Sequence, residues 1–544
     1  MLKQRIHSFL QHHHITKHMV KVYVSCFTIM ISSGLTITLI FPYLPFMVKF
    51  LLPDVGDRNV GRYAGFMASS MYLGRLCGSY FWGWLADTHS KKTILMYSGI
   101  CVAFSSLFFG FSINFYMAVI FRFLTGLSNG VVGNSKAIVY EHSDDINKGF
   151  GMSIMAASFG TAIVVGPAAA GLLADPIGQY NLPPNSFLEK FPYCLPSMFA
   201  AFLCAVGVIA VGFLLPDKPE KPDKVNEDDS SIKTGLEPHD QPSNNTYEVE
   251  TDLKSAEDSP PQSTSIQGGT EVVDKDDNEE DTVIMDVFLV DEGEAVIVKR
   301  SLKLKKRLKQ SKQHLASGCQ VFLSLIKDKV TFSTVFLYGL FSFATIGFDE
   351  CYSLWASTDR SLGGLDFTLS NIGTTLGIVG VLMTPLSLIV YNPMEKRFGT
   401  IMTFLINNSI LVVVVLLFPS LTYTSGNKPV LWIILILALL TIRSTLSNCF
   451  ICQALFINNS VTPDKLGAVN GLAITVTSLF RTFSPLMFGA LYSLSLSDTT
   501  QHIGFPVDFH LIFILFSFVF LLSFIIVAFF PKRLEKQQKS TTST

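Results

Sequence analysis

Charge is scarce in this chain, and so are the signatures of nucleotide chemistry. Only 15% of its 544 residues are Asp, Glu, Lys or Arg, against roughly 25% in ordinary soluble domains. There is no Gly-Lys-Ser/Thr phosphate loop and no Gly-x-Gly-x-x-Gly turn, so neither ATP-driven transport nor dinucleotide chemistry is expected of this chain alone. No cofactor, resident metal site or enzymatic activity is expected. The formal net charge of −1 points to no nucleic-acid partner. The nine cysteines are scattered, eight of them in or beside apolar segments, where they behave as small hydrophobes and imply no disulfide framework. The stretch from Met1 to Lys21 is polar and His-rich and lacks an apolar region followed by a small-residue cleavage site. No cleavable signal peptide is expected, and the first apolar span takes the targeting role.

What the chain does have is apolar length. It is 49% hydrophobic with 46 phenylalanines and a mean hydropathy of +0.41. A hydrocarbon core of about 30 Å takes roughly 20 apolar residues in a helix. Six such runs precede residue 216, at about 23–51, 63–86, 93–112, 115–139, 150–174 and 192–215. Six more follow residue 329, at about 330–357, 368–391, 400–419, 429–456, 466–496 and 508–531. The expected fold is an all-α membrane protein of twelve transmembrane helices in two six-helix pseudo-repeats.

Basic residues set the expected orientation. Lys3, Arg5, Lys17 and Lys21 precede the first span; Lys91 and Lys92 follow the second, and Lys148 precedes the fifth. Lys396 and Arg397 separate the eighth and ninth, while Lys532, Arg533 and Lys536 trail the twelfth. All share one side of a twelve-span chain, so both termini are expected to be cytoplasmic. The resulting division is a tail over 1–22, a first bundle over 23–215, an insert over 216–329, a second bundle over 330–531 and a tail over 532–544. The first part of the insert, Asp217 to Asp281, is rich in Asp, Glu, Ser, Pro and Lys, a composition expected to be disordered. Its end carries Lys299, Arg300, Lys303, Lys305, Lys306, Arg307 and Lys309 interleaved with Leu302, Leu304 and Leu308. That pattern reads either as an amphipathic helix on an anionic leaflet or as plain positive-inside charge.

The two halves repeat. The shift that carries Gly149 onto Gly467 also carries Pro167 onto Pro485 and Gly171 onto Gly489. The fourth and tenth spans each hold an arginine, Arg122 and Arg443, and the Glu395-Lys396-Arg397 seam echoes Asp87 with Lys91 and Lys92. Related six-span halves around a polar insert are the plan of transporters whose substrate site lies between parallel repeats.

These residues carry a family resemblance. Gly83-x-Leu85-Ala86-Asp87-x-x-x-Lys91-Lys92 resembles the loop signature of the major facilitator superfamily, and Arg122-Phe-Leu-Thr-Gly126 its fourth-helix motif. Gly160 with Gly166-Pro167-x-x-x-Gly171 resembles the fifth-helix motif of its proton-coupled antiporters. Gly74 to Asp87, Lys136 to Glu141, Glu350 to Ala356 and Gly467 to Gly471 look like the zinc-induced facilitator-like branch, near the drug:proton antiporters. Thr88 and Ser90 stand where the family signature has arginine and glycine. The resemblance implies a proton-coupled antiporter, working as a monomer in a vacuolar or other membrane, for a small organic molecule, drug-like cation or metal chelate.

It also implies roles. Gly83, Asp87, Lys91, Lys92, Glu395 and Arg397 form the expected cytoplasmic gate, Asp87 lying against the N-terminus of the eleventh helix, where the helix dipole favours an anion. Arg122, Lys136, Arg443, Glu141, Asp349 and Glu350 are the candidates for proton coupling. A charge at the bilayer centre costs at least about 2.5–3.5 kcal/mol, so each must face protein or water; Arg75 and Arg481 fall under the same rule. Asp349 and Glu350 project about 100° apart on a helix, and Glu350 is the first candidate for the proton carrier. Glu141 reads either as the partner of Lys136, just over one helical turn away, or as an acid at the membrane interface. Gly160, Gly166, Pro167, Gly171, Pro485 and Gly489 are expected to shape helices for close packing. Two other readings stay open: a uniporter or symporter on the same fold, and a membrane sensor that signals through the insert. His7, His12, His13, His14 and His18 read as a polar tail or as metal ligands, and Cys449 with Cys452 as packing.

Overall fold

The computed structural model describes residues 16–143, 147–180, 183, 187–216, 324–424, 426–462 and 465–536. The described residues form one compact unit. The insert between residues 217 and 323 and the histidines up to His14 lie outside the described residues.

Twelve helical spans make up the described unit. The first is Lys17–Thr38 continued by Leu44–Leu51; the second is Val60–Thr88 and the third Lys91–Gly110. The fourth is Phe115–Leu127 continued by Val131–Glu141, the fifth Lys148–Leu173 and the sixth Cys194–Leu214. The seventh is Lys329–Ser357, the eighth and ninth share Leu369–Leu417, and the tenth is Lys428–Asn459. Leu466–Ser495 is the eleventh and Leu511–Ala528 the twelfth. Ten stretches are long and apolar enough to cross a membrane. One of them holds both the eighth and ninth spans. The second span is not among the ten, since glycine, serine and arginine dilute its hydropathy. Its 29 residues, at about 1.5 Å each, still exceed the hydrocarbon thickness.

Helix starts follow local capping chemistry. The side chains of Thr16, Asn114, Asp328, Thr368 and Asn427 accept hydrogen bonds from first-turn amides of the first, fourth, seventh, eighth and tenth spans. Between the eighth and ninth spans the expected loop at 392–399 is instead helical through residue 398. The chain turns only at Gly399, whose φ of 79° is a conformation that glycine adopts without penalty.

Two spans expected to be continuous are broken. Residues 39–43 leave helical geometry ahead of Leu44–Leu51, where Pro42 supplies no amide hydrogen. The fourth span breaks at Ser128-Asn129-Gly130, and a third-span side chain fills the gap. Ser98 Oγ donates to the Ser128 carbonyl at 2.8 Å and accepts from the Gly130 amide at 2.9 Å. Asn129 also accepts from Ser33 of the first span at 3.0 Å. Irregular backbone at membrane depth persists only where protein groups satisfy it in this way.

Within the first half the second span packs on the fourth, the first on the fifth and sixth, and the third on the sixth; within the second half the seventh packs on the eleventh and twelfth. The halves meet where the second span crosses the eleventh and the fifth crosses the eighth. Gly171 and Gly489, matched by the sequence repeat, sit at these two crossings.

Candidate functional site

The seam between the halves is closed at one end. That end is the one remote from the chain termini, carrying the loops after the first, fifth and seventh spans. A side-chain carbon on Gly171 would run into the backbone of Gly373, and one on Gly373 into Gly171. Further along the same crossing, a side-chain carbon on Gly377 would come within 3.0 Å of Ala168 and one on Gly380 within 2.9 Å of Val164. At the other crossing a side-chain carbon on Gly489 would come within 3.0 Å of the Gly65 Cα, and one on Gly61 within 2.8 Å of the Gly489 carbonyl. Ser69 Oγ accepts from the Leu486 amide at 2.9 Å, and Ser493 Oγ from the Arg62 amide at 2.9 Å. Small residues admit this backbone approach, the usual basis of tight helix contact in lipid.

Toward the termini the same helices part. Gly83 on the second span, Gly160 on the fifth, and Gly467 and Gly471 on the eleventh have nothing among the described residues within 4 Å of a would-be side chain. Of the expected gate residues, Gly83 therefore has no close neighbour across the halves among the described residues. Lys91 pairs with Glu141 of its own half, and Arg397 lies over the Phe398 ring at 5.3 Å. Lys92 opens the third span, half-buried, and Glu395 is likewise half-buried. The side chain of Asp87 lies outside the described residues. Of the two readings of Glu141, the exposed position paired with Lys91 fits the interfacial one, since five helical residues place Glu141 and Lys136 about 140° apart.

The interior holds the buried charges. Arg122 is 5% exposed and donates to the Thr36 carbonyl at 2.6 Å and the Ile37 carbonyl at 3.4 Å. Its guanidinium stands 5.6 Å from the Phe109 ring. Those two carbonyls end the first segment of the broken first span, so Arg122 caps that segment where a cation is favoured by the helix dipole. Arg443 of the tenth span is ion-paired with Asp349 of the seventh, each side chain 14% exposed. Glu350, the next residue, is 1% exposed, and neither carboxylate oxygen has a hydrogen-bond partner. The 100° step between the two acids thus separates a paired carboxylate from a sealed one. Arg75, Lys136 and Arg481 are half-buried, and Arg481 reaches Ser342 Oγ at 3.4 Å.

The helix-shaping set divides by what each residue meets. Gly166 faces Thr38 and the Leu39 amide of the first span, Pro167 and Pro485 lie inside their helices, and the Pro485 carbonyl meets Gly65. Some polar side chains escaped sequence reasoning. Asn448 donates to Asn407 at 3.0 Å and accepts from Ser387 at 2.6 Å, tying three spans of the second half together. Tyr72, one helical turn before Arg75, is 5% exposed with an unpartnered hydroxyl. Its spacing from Arg75 was the available signal. His18 stacks on His142 with centroids 5.4 Å apart. Among the described residues no three His, Cys, Asp or Glu side chains gather as metal ligands.

Comparison with known proteins agrees with this architecture. The family model described as Major Facilitator Superfamily matches residues 26–485. The chain is 27% identical to protein ZINC INDUCED FACILITATOR-LIKE 1 of Arabidopsis thaliana, over 94% of this chain and 91% of that protein. It is 26% identical to the major facilitator superfamily multidrug transporter mfsB of Aspergillus fumigatus, over 84% of this chain and 76% of the relative. Among solved structures it resembles a D-xylose-proton symporter at a TM-score of 0.60 and 12% identity, covering 96% of this chain and 100% of the other.

Proposed function

The chain belongs to the major facilitator superfamily and is a membrane transporter rather than an enzyme, and from that membership we propose that it is a proton-coupled antiporter of a small organic solute. The halves rock about the interior by alternating access, and the route lies within one chain. Closure at the end remote from the termini, with free glycines at the other, supports a conformation open toward the termini. With both termini cytoplasmic, that conformation faces the cytoplasm, and an acidic organelle such as a vacuole supplies the proton gradient.

The observation that carries the proton reading is the pair of adjacent acids on the seventh span with opposite surroundings. Asp349 has its counter-charge in Arg443. Glu350 has none and no hydrogen bond, in a place where an unpaired ionised carboxylate costs several kcal/mol. Glu350 is the proton carrier, taking up its proton in the conformation open to the acidic lumen, holding it while sealed, and releasing it toward the cytoplasm. Asp349, Arg443 and Arg122 keep the neighbouring helices in register. Arg397, Glu395, Lys91 and Lys92 belong to the closure at the terminal end in the alternate conformation, together with Asp87.

Purified protein in vesicles with an imposed pH gradient tests this. Uptake of a pooled panel of organic acids, organic cations and zinc chelates is read by mass spectrometry. At least one solute is expected to accumulate only with the gradient, and Glu350→Gln to retain exchange while losing gradient dependence. Accumulation indifferent to the gradient, or a Glu350→Gln protein driven by it as before, overturns the reading.

A further inference from the structure

Three cations share the interior with no carboxylate of their own. Arg75 on the second span, Lys136 on the fourth and Arg481 on the eleventh are half-buried, and each lies within electrostatic reach of the other two. Register explains the meeting of Arg75 and Arg481. The second and eleventh spans run antiparallel through the Gly65–Pro485 and Ser69–Leu486 contacts, which brings both arginines just past the closed seam on its open side. Among the described residues none of the three is in an ion pair. The acid within reach of Arg481 is Asp349, and Arg443 already occupies it.

One further polar group lies nearby without a partner. The Tyr72 hydroxyl is buried, unpartnered and within electrostatic reach of Arg75, Arg122, Arg481 and Asp349. Arg481 Nε is buried and unpartnered as well. Cations inside a membrane protein are held against opposite charge, and here the protein supplies too little. We propose that Arg75, Lys136 and Arg481, with the Tyr72 hydroxyl, bind an organic anion carrying two or more carboxylates. It rests on the transport reading above and narrows its solute from organic molecules in general to polycarboxylates. Because the cations come from both halves, the anion bridges the halves when bound. A single carboxylate cannot meet three cations on three helices, so monovalent anions bind more weakly.

Equilibrium binding to the full chain in nanodiscs at fixed pH tests the site without any gradient, so it can fail while proton coupling stands, and the reverse. The probes are citrate, succinate, acetate, inorganic phosphate and tetraethylammonium, at constant ionic strength. Citrate or succinate is expected to bind at least tenfold more tightly than acetate, and tetraethylammonium not at all. Arg75→Gln, Lys136→Gln and Arg481→Gln should each weaken that binding about tenfold, whereas Lys428→Gln, at the exposed first residue of the tenth span, leaves it unchanged. A charge-assisted hydrogen bond of about 1.5–3 kcal/mol sets that scale. Phosphate binding as tightly as the carboxylates identifies a general anion site and overturns the polycarboxylate assignment. Failure of every anion to bind, equal binding of tetraethylammonium, or indifference to all three substitutions overturns the site.

Discussion

Adding one methyl group at Gly171 should open the closed end of the seam. The Gly171 and Gly373 backbones touch where the fifth and eighth spans cross, so Gly171→Ala drives a carbon into backbone that no rotamer change can clear. The helices must separate or the halves must rock. Overpacking of this kind costs about 1–3 kcal/mol, which lowers the population of the observed conformation about 5- to 150-fold relative to its alternative. The reporter is Ser69→Cys in a cysteine-free background, at a residue 7% exposed on the other crossing between the halves. Labelling by a membrane-impermeant maleimide from the side remote from the termini should accelerate by a similar factor. Gly373→Ala should do the same, and the double variant should fall short of the sum because both act on one contact. Gly160 lies on the same helix in the same motif with open space above it, so Gly160→Ala should leave this labelling unchanged. Equal labelling of the parent, Gly171→Ala and Gly160→Ala would show that the crossing is not what holds this end shut.

Other consequences can be checked separately. Arg122→Leu removes the donor to the Thr36 and Ile37 carbonyls; at about 1–3 kcal/mol per orphaned buried group it should lower thermal stability clearly, with Arg122→Lys intermediate, and a melting temperature equal to the parent's in both would refute the capping role. Asp349→Asn leaves Arg443 without its counter-charge and should cost about 3–5 kcal/mol; Asp349→Asn with Arg443→Gln should recover part of it, and a double variant less stable than either single would refute the pairing. Asp328→Ala removes the cap that accepts from the Thr331 amide at 3.1 Å and should cost about 1 kcal/mol in chemical denaturation. Burial pushes the Asp328 carboxyl up, but its hydrogen bonds from Thr331 outweigh this and leave it below the usual carboxylate range. A group held low in the folded state stabilises above its unfolded value and loses that effect as pH falls through the folded one, so parent and variant should converge in strong acid; a constant difference would contradict the assignment.

Span number and the repeat were legible because both are written in apolar length and spacing. Even the second span, the most diluted, was readable from its run of small residues up to Asp87. The breaks at residues 39–43 and 128–130 were not, since they depend on Ser98 and Arg122, which reach them from other spans. Glu141 could be read as a partner of Lys136 or as an interfacial acid, because sequence shows proximity along a helix and not which neighbour comes from elsewhere; Lys91 is distant in the chain and adjacent in space. Asp349 and Glu350 could be separated by angle but not by surroundings, which the tenth span decides through Arg443. The choice of closed end was also hidden. Glycines line both ends of these helices, and only packing tells Gly171 and Gly489, in contact, from Gly160 and Gly467, facing open space.

The two halves share a plan but not a stiffness. The first and fourth spans are each jointed in mid-membrane, whereas their counterparts in the repeat, Lys329–Ser357 and Lys428–Asn459, run as unbroken rods. A load applied to both halves will therefore be taken up unequally. In the proposed rocking the jointed half should bend at the breaks that Arg122 and Ser98 hold while the other acts as a lever, giving an asymmetric movement from a repeated sequence plan.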